Sequence, residues 1–171
     1  MEIKIGGISP HPPLLIPEIG GSERLKVKKT DDSLKILSEK ILNEGVETII
    51  FMSPHSPFIR DGITIYSNDI LYGDFGQFGA KEVNFEYEND LEIVESLIQS
   101  GKKFGIKFYR LPEDYPLDHG ILVPLYYLDK LKDYEFKIVG MSQHFTLEKE
   151  EFKVFKEIFD DIEILDKKVA F

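Results

Sequence analysis

Cysteine is absent from the 171-residue chain. That removes disulfides, zinc–thiolate sites and thiol nucleophiles, and leaves histidine, aspartate and glutamate as the only strong metal ligands. Long apolar runs are missing as well. Nothing approaches the roughly 18 residues needed to span a bilayer, and Met1-Glu2-Ile3-Lys4 offers no basic region followed by an apolar stretch. These absences predict a cytoplasmic protein. Positive charge is scarce: 21 basic residues face 31 acidic ones, a net charge of −10, so long-range repulsion disfavours nucleic acid or an anionic membrane as partner. No repeat, low-complexity tract or linker-like shift divides the sequence, which predicts one domain spanning residues 1–171. A 42% share of hydrophobic residues is ordinary for a folded domain of this size with a real apolar core.

Strand and helix patterns alternate along the sequence. Glu2 to Gly6 reads as a first strand, followed by an irregular loop, because the prolines of Ser9-Pro10-His11-Pro12-Pro13 block helix and ladder alike. Leu34, Leu37 and Ile41 have helical spacing within about Thr30 to Asn43. Glu47 to Met52 is β-branched and apolar, as in a strand buried on both faces, and runs straight into Ser53-Pro54-His55-Ser56-Pro57. Gly62 to Ser67 is another strand. A Gly- and Phe-rich stretch, Tyr72 to Ala80, forms a loop or hairpin before the strand Glu82 to Tyr87. Asn89 is placed to cap a helix with the apolar face Leu91, Val94, Leu97 and Ile98, closed by Gly101. Ile106 to Leu111 is a strand, Ile121 to Leu131 a mostly buried helix entered through Asp118-His119-Gly120, and Phe136 to Ser142 a strand. Thr146 caps a last helix before the strand Lys167 to Phe171. This order predicts an α/β fold with a mainly parallel or mixed central sheet and helices on both faces, its ligand crevice beyond the carboxyl ends of the strands.

The four histidines, His11, His55, His119 and His144, all fall in loops or at element ends. Taken singly, a loop histidine is more often a surface or hydrogen-bonding residue than a ligand. Two Pro-flanked Ser-Pro-His tripeptides, each following an apolar strand, point instead to two stiff loops presenting imidazoles to one crevice. Neutral imidazole is the commonest ligand for divalent transition metals, and two imidazoles with a carboxylate leave open positions for substrate and dioxygen on iron(II). Spacing alone leaves both readings open.

Four segments in order carry a resemblance that favours the second. They are Ile8-Ser9-Pro10-His11-Pro12-Pro13, Ser53-Pro54-His55-Ser56-Pro57, Gly73-Asp74-Phe75-Gly76-Gln77-Phe78-Gly79-Ala80 and Leu117-Asp118-His119-Gly120-Ile121-Leu122-Val123-Pro124-Leu125. Through them the protein resembles the subunit-B-like family of class III extradiol ring-cleavage dioxygenases, especially the branch that includes the Memo proteins and proteins associated with a radical-SAM partner. The resemblance implies His11 and His55 as metal ligands, His119 as the acid/base group beside the substrate, and Fe(II) as the metal, with Zn or Cu as alternatives. It further implies a catecholic aromatic substrate and O2. Phe75 and Phe78 are then expected to line or cover the pocket, or else to act as hydrophobic plugs.

Asp118 is either a helix cap or a further site residue. His144 either reaches the same crevice or is a polar loop residue before Thr146. The resemblance also implies a Ser-Gly-Asp-Leu-Ser-His-like segment beyond Lys167 to Phe171 that supplies the third ligand. The expectation is therefore a single domain, C-terminally incomplete relative to the family, with Glu113, Asp114 and His144 to be considered as substitutes. An uncovered sheet edge would favour a homo-oligomer. Against the dioxygenase stands a non-enzymatic, Memo-like metal-binding or partner protein, since fold does not determine function. A zinc hydrolase is a third reading, because two histidines and an acid also suit metal-bound water.

Overall fold

The computed structural model describes residues 1–131, 134–143, 149–162 and 165–171. His144 and the expected cap Thr146 lie outside the described residues. Six strands form the main sheet: β1 (Glu2–Ile5), β2 (Thr48–Ser53), β3 (Gly62–Ile65), β6 (Lys107–Arg110), β7 (Lys137–Ser142) and β8 (Lys168–Ala170), in the order β1-β8-β2-β7-β3-β6. Every ladder is parallel except β3 with β7, which is antiparallel. The sheet is thus mixed and mainly parallel, as the strand–helix alternation predicts. β4 (Ile70–Phe75) and β5 (Ala80–Glu88) form a separate antiparallel hairpin, which resolves the loop-or-hairpin expectation for Tyr72 to Ala80. Its turn is a 3-10 segment, Gly76–Phe78, closed by Gly79 at φ +84°.

Successive side chains of a strand point to opposite faces, and the central strands use this to serve two cores. Ile49 of β2 and Ile138 of β7 pack with the hairpin, α2 (Lys28–Asn43) and α4 (His119–Asp129). Their neighbours Ile50 and Val139 pack with α3 (Leu91–Phe104) and α5 (Lys149–Asp161). Helices therefore cover both faces. Among the described residues no helix is long and apolar enough to cross a membrane.

Two helix ends differ from the sequence expectation. Asp90, not Asn89, caps α3: its side chain accepts from the Ile93 N–H at 3.3 Å. The Asn89 amide instead donates to the Tyr66 and Asn68 carbonyls at 3.2 and 2.9 Å. Gly105, at φ +84°, ends the helix, and Gly101 lies inside it. A Cβ on Gly101 would meet the Phe108 ring at 2.6 Å, so this glycine permits close packing of helix on strand. Asp90 is buried and also accepts from Thr48 Oγ1 at 2.6 Å and Lys167 Nζ at 2.7 Å. This ties the starts of β2 and β8 to the start of α3.

Residues 13–27, for which the sequence pattern predicts no element, form a 3-10 turn (Pro13–Leu15), the short helix α1 (Pro17–Gly20) and a second 3-10 segment (Gly21–Val27). This segment is anchored by the fully buried Leu15 and Ile16 and by a charged cluster under it. Asp31, in the first turn of α2, accepts from Arg24 at 2.8 Å, Lys35 at 2.5 Å and the Tyr127 hydroxyl of α4 at 2.7 Å. Burial alone would raise the Asp31 pKa, but hydrogen bonds from Lys35, Tyr127 and Arg24 outweigh it and hold the carboxyl down to about 2.

A carboxyl with a depressed folded-state pKa stabilises the fold above its unfolded value, and the gain fades as pH falls toward the folded one. The shift from the ordinary 3.8 to about 2 corresponds to about 2 kcal/mol. Asp31→Asn is therefore expected to lower stability by about that amount at pH 7. Urea denaturation series should show the gap between wild type and variant closing as pH drops from about 4 to 2.

Candidate metal centre

The loop after β1 and the loop after β2 meet at the carboxyl end of the sheet. His11 sits among Pro10, Pro12 and Pro13, and its loop is pinned where Leu15 N–H donates to the Pro12 carbonyl at 3.0 Å. His55 follows β2 and is exposed, while the flanking Ser53 and Ser56 are each only 1% exposed. The two imidazoles converge: His11 Nε2 lies 3.0 Å from His55 Nε2. His11 Nδ1 lies 3.2 Å from the Ser9 carbonyl oxygen. Because a carbonyl only accepts, Nδ1 carries the proton and Nε2 the lone pair, the tautomer a metal ligand requires.

The separation itself tests the fit. Imidazole nitrogens bind a divalent ion at about 2.0–2.1 Å, so two of them at roughly a right angle stand about 3 Å apart. The 3.0 Å observed matches that span. The donor chemistry suits iron, zinc or copper.

His119, first residue of α4, completes a histidine cluster. Its ring centroid is 4.0 Å from that of His55 and 5.9 Å from that of His11. Burial lowers its pKa, the neighbouring His55 and His11 lower it further, and Asp118 opposes them. His119 is thereby biased toward the neutral form, which can accept a proton. Phe78 packs edge-on against it, with centroids 5.2 Å apart. Phe75 is fully buried in the core and backs Phe78 from 6.3 Å. It does not reach an open pocket surface.

Asp118 is the cap of α4, accepting from the Gly120 N–H at 2.8 Å. It also accepts from Ser53 Oγ at 2.5 Å and Ser56 Oγ at 2.6 Å. Both carboxylate oxygens are thus engaged by hydrogen-bond donors of the protein. Glu113 and Asp114 sit on a loop strapped to the hairpin, where Asn68 Nδ2 donates to the Glu113 carbonyl and the Tyr72 hydroxyl to the Asp114 carbonyl at 2.5 Å. Among the described residues no three His, Asp or Glu side chains gather to hold one ion. Neither acid therefore joins His11 and His55. A cleft of about 340 Å³ opens beside His11, walled by Leu34, Leu37, Ile41, Pro124 and Phe171.

The Ser53 and Ser56 hydroxyls are the site residues that sequence reasoning overlooks. Their signal is present in Ser-Pro-His-Ser, but the prolines draw attention first. Gly120 is a second such residue: a Cβ there would meet Ser53 Oγ at 2.3 Å, Asp118 Oδ1 at 2.8 Å and His55 Cδ2 at 3.3 Å. Gly120→Ala is expected to force β2 and α4 apart, costing about 1–3 kcal/mol in urea denaturation as overpacking generally does.

Residues 7–171 match the family described as the catalytic LigB subunit of aromatic ring-opening dioxygenase. The chain is also 30% identical over 141 residues, 78% of its length, to Protein CA_C1420 of Clostridium acetobutylicum, of which it covers 30%. It thus spans under a third of that relative's length. With the family match running over nearly all of its residues, the chain belongs to the family of the catalytic LigB subunit of aromatic ring-opening dioxygenases.

Proposed function

We propose that the protein holds the histidine part of an extradiol ring-cleavage centre, acting on a catecholic substrate with dioxygen. In this reading His11 and His55 hold iron(II), and His119 is the acid/base group. The observation that carries it is the 3.0 Å approach of two ring nitrogens from loops 44 residues apart. Family membership supports the aromatic substrate class and dioxygen. The cation, when bound, supplies Lewis acidity and the redox chemistry that dioxygen requires.

The protein's own residues have three tasks. His11 and His55 orient their lone pairs toward one point. His119, biased to the neutral form by burial and by its histidine neighbours, takes a hydroxyl proton from the substrate on a ring nitrogen and returns one as the ring opens. Phe78, set edge-on to His119, keeps water from that side of the imidazole. The cleft of about 340 Å³ beside His11 falls within the range of small-ligand pockets, about 300–1,000 Å³, and its apolar walls suit an aromatic ring.

Anaerobic reconstitution with iron(II), followed by a catechol series and oxygen, tests this reading. Oxygen uptake with a yellow ring-opened product is expected. His119→Ala should lower turnover about 10²–10⁴-fold while metal content stays at the wild-type level. His11→Ala and His55→Ala should lose the metal. Iron uptake without oxygen consumption by any catechol would overturn the enzyme reading in favour of a metal-binding protein without turnover.

A further inference from the structure

We infer that Asp118 is a positioning residue that joins the two histidine-bearing elements, so that its carboxylate fixes the approach of His55 to His119. A cap needs only one hydrogen bond, and the Gly120 N–H supplies it at 2.8 Å. Asp118 accepts two more, from hydroxyls on the other element. Ser53 Oγ donates to Oδ1 at 2.5 Å, and Ser56 Oγ donates to Oδ2 at 2.6 Å. These serines bracket His55 in sequence, and Ser53 Oγ also accepts the His55 backbone N–H at 3.1 Å. Two hydroxyls, each 1% exposed, thus hold the two ends of the tetrapeptide Ser53-Pro54-His55-Ser56 against the residue next to His119.

The arrangement requires close contact, and the sequence makes room for it. Gly120 has no Cβ where one would stand 2.3 Å from Ser53 Oγ and 3.3 Å from the His55 ring. The ring centroids of His55 and His119 end 4.0 Å apart, although His55 itself is exposed and packing does little to hold it. An exposed imidazole on a loop keeps one orientation only if its backbone is held, and this carboxylate is the group that holds it. Hydrogen bonds to a charged acceptor are the stronger kind, and bonds sheltered from water are screened least. Ligand-orienting contacts of this sort commonly change metal affinity 10–100-fold when removed.

Two variants separate positioning from capping. Ser56→Ala leaves the Asp118–Gly120 cap in place and removes one tether. Asp118→Asn preserves a competent cap, since Asn caps about as well as Asp, but has one acceptor oxygen instead of two. The first measurement is on metal-free protein: imidazole ¹H–¹⁵N spectra, assigned with single histidine variants, alongside urea midpoints. The second is titration with cobalt(II) alone, followed by its visible absorption bands.

The expected result is that both variants remain folded with a single cooperative urea transition, shift or broaden the His55 and His119 ring signals, and bind cobalt about tenfold more weakly. Unchanged ring signals with unchanged cobalt affinity would overturn the inference and leave Asp118 a helix cap. The cobalt arm rests on the proposed metal centre, but the ring signals do not. A wild-type protein that takes up no cobalt would sink the metal reading, and the metal-free spectra would still decide the role of Asp118.

Discussion

The burial of α4 is the constraint on which the other contacts depend. Every residue from Ile121 to Leu128 is buried, and each aliphatic side chain so enclosed contributes about 1.5–3 kcal/mol relative to exposure. Few helices are closed in on all sides. This one is, because α2 packs on one flank, the hairpin on another and the sheet beneath. Gly73 allows β4 to lie so close that a Cβ there would meet Leu117 at 2.9 Å and Leu122 at 3.0 Å. A helix held this firmly gives its first turn a fixed address. That turn carries Asp118, His119 and Gly120, from which the histidine cluster is assembled.

From this follows a division of labour between cores and loops. The apolar residues position α4 and β2 to within packing tolerance, since protein interiors are close-packed and transmit displacement. Hydrogen bonds to Asp118 then set the remaining distance between the loop after β2 and the helix. The His11 loop is placed separately, by the buried Leu15 and Ile16 and by the Asp31 cluster, whose Tyr127 also belongs to α4. Both histidine-bearing loops are thus referred to the same helix.

Much of this was legible in the sequence, for physical reasons that differ by element. β2 and β7 declare themselves by unbroken β-branched and apolar runs, and α2 and α3 by helical spacing. The Ser-Pro-His tripeptides announce themselves because proline after a strand leaves few alternatives to a stiff loop. Legibility ends where two equivalent residues compete. Asn89 and Asp90 are both good caps, and only the Tyr66 and Asn68 carbonyls, distant in sequence, claim the Asn89 amide. Gly101 and Gly105 both suit a helix end, and the Phe108 ring decides between them. The Asp118 tethers span 62 and 65 residues, so no local pattern encodes them. Phe75 and Phe78 look alike in a Gly-rich stretch, yet register sends one into the core and leaves the other beside His119.

At the opposite end of the sheet from the histidines, Asp90 draws together Thr48, Lys167 and the Ile93 N–H of α3. The carboxylate holds the strand starts, whereas the histidine cluster sits at the strand finishes. The sheet is therefore tied at both ends, by Asp90 at its root and by Asp118 beside the imidazoles. β2 is thus strung between two carboxylates, hydrogen-bonded at its first residue, Thr48, and at its last, Ser53.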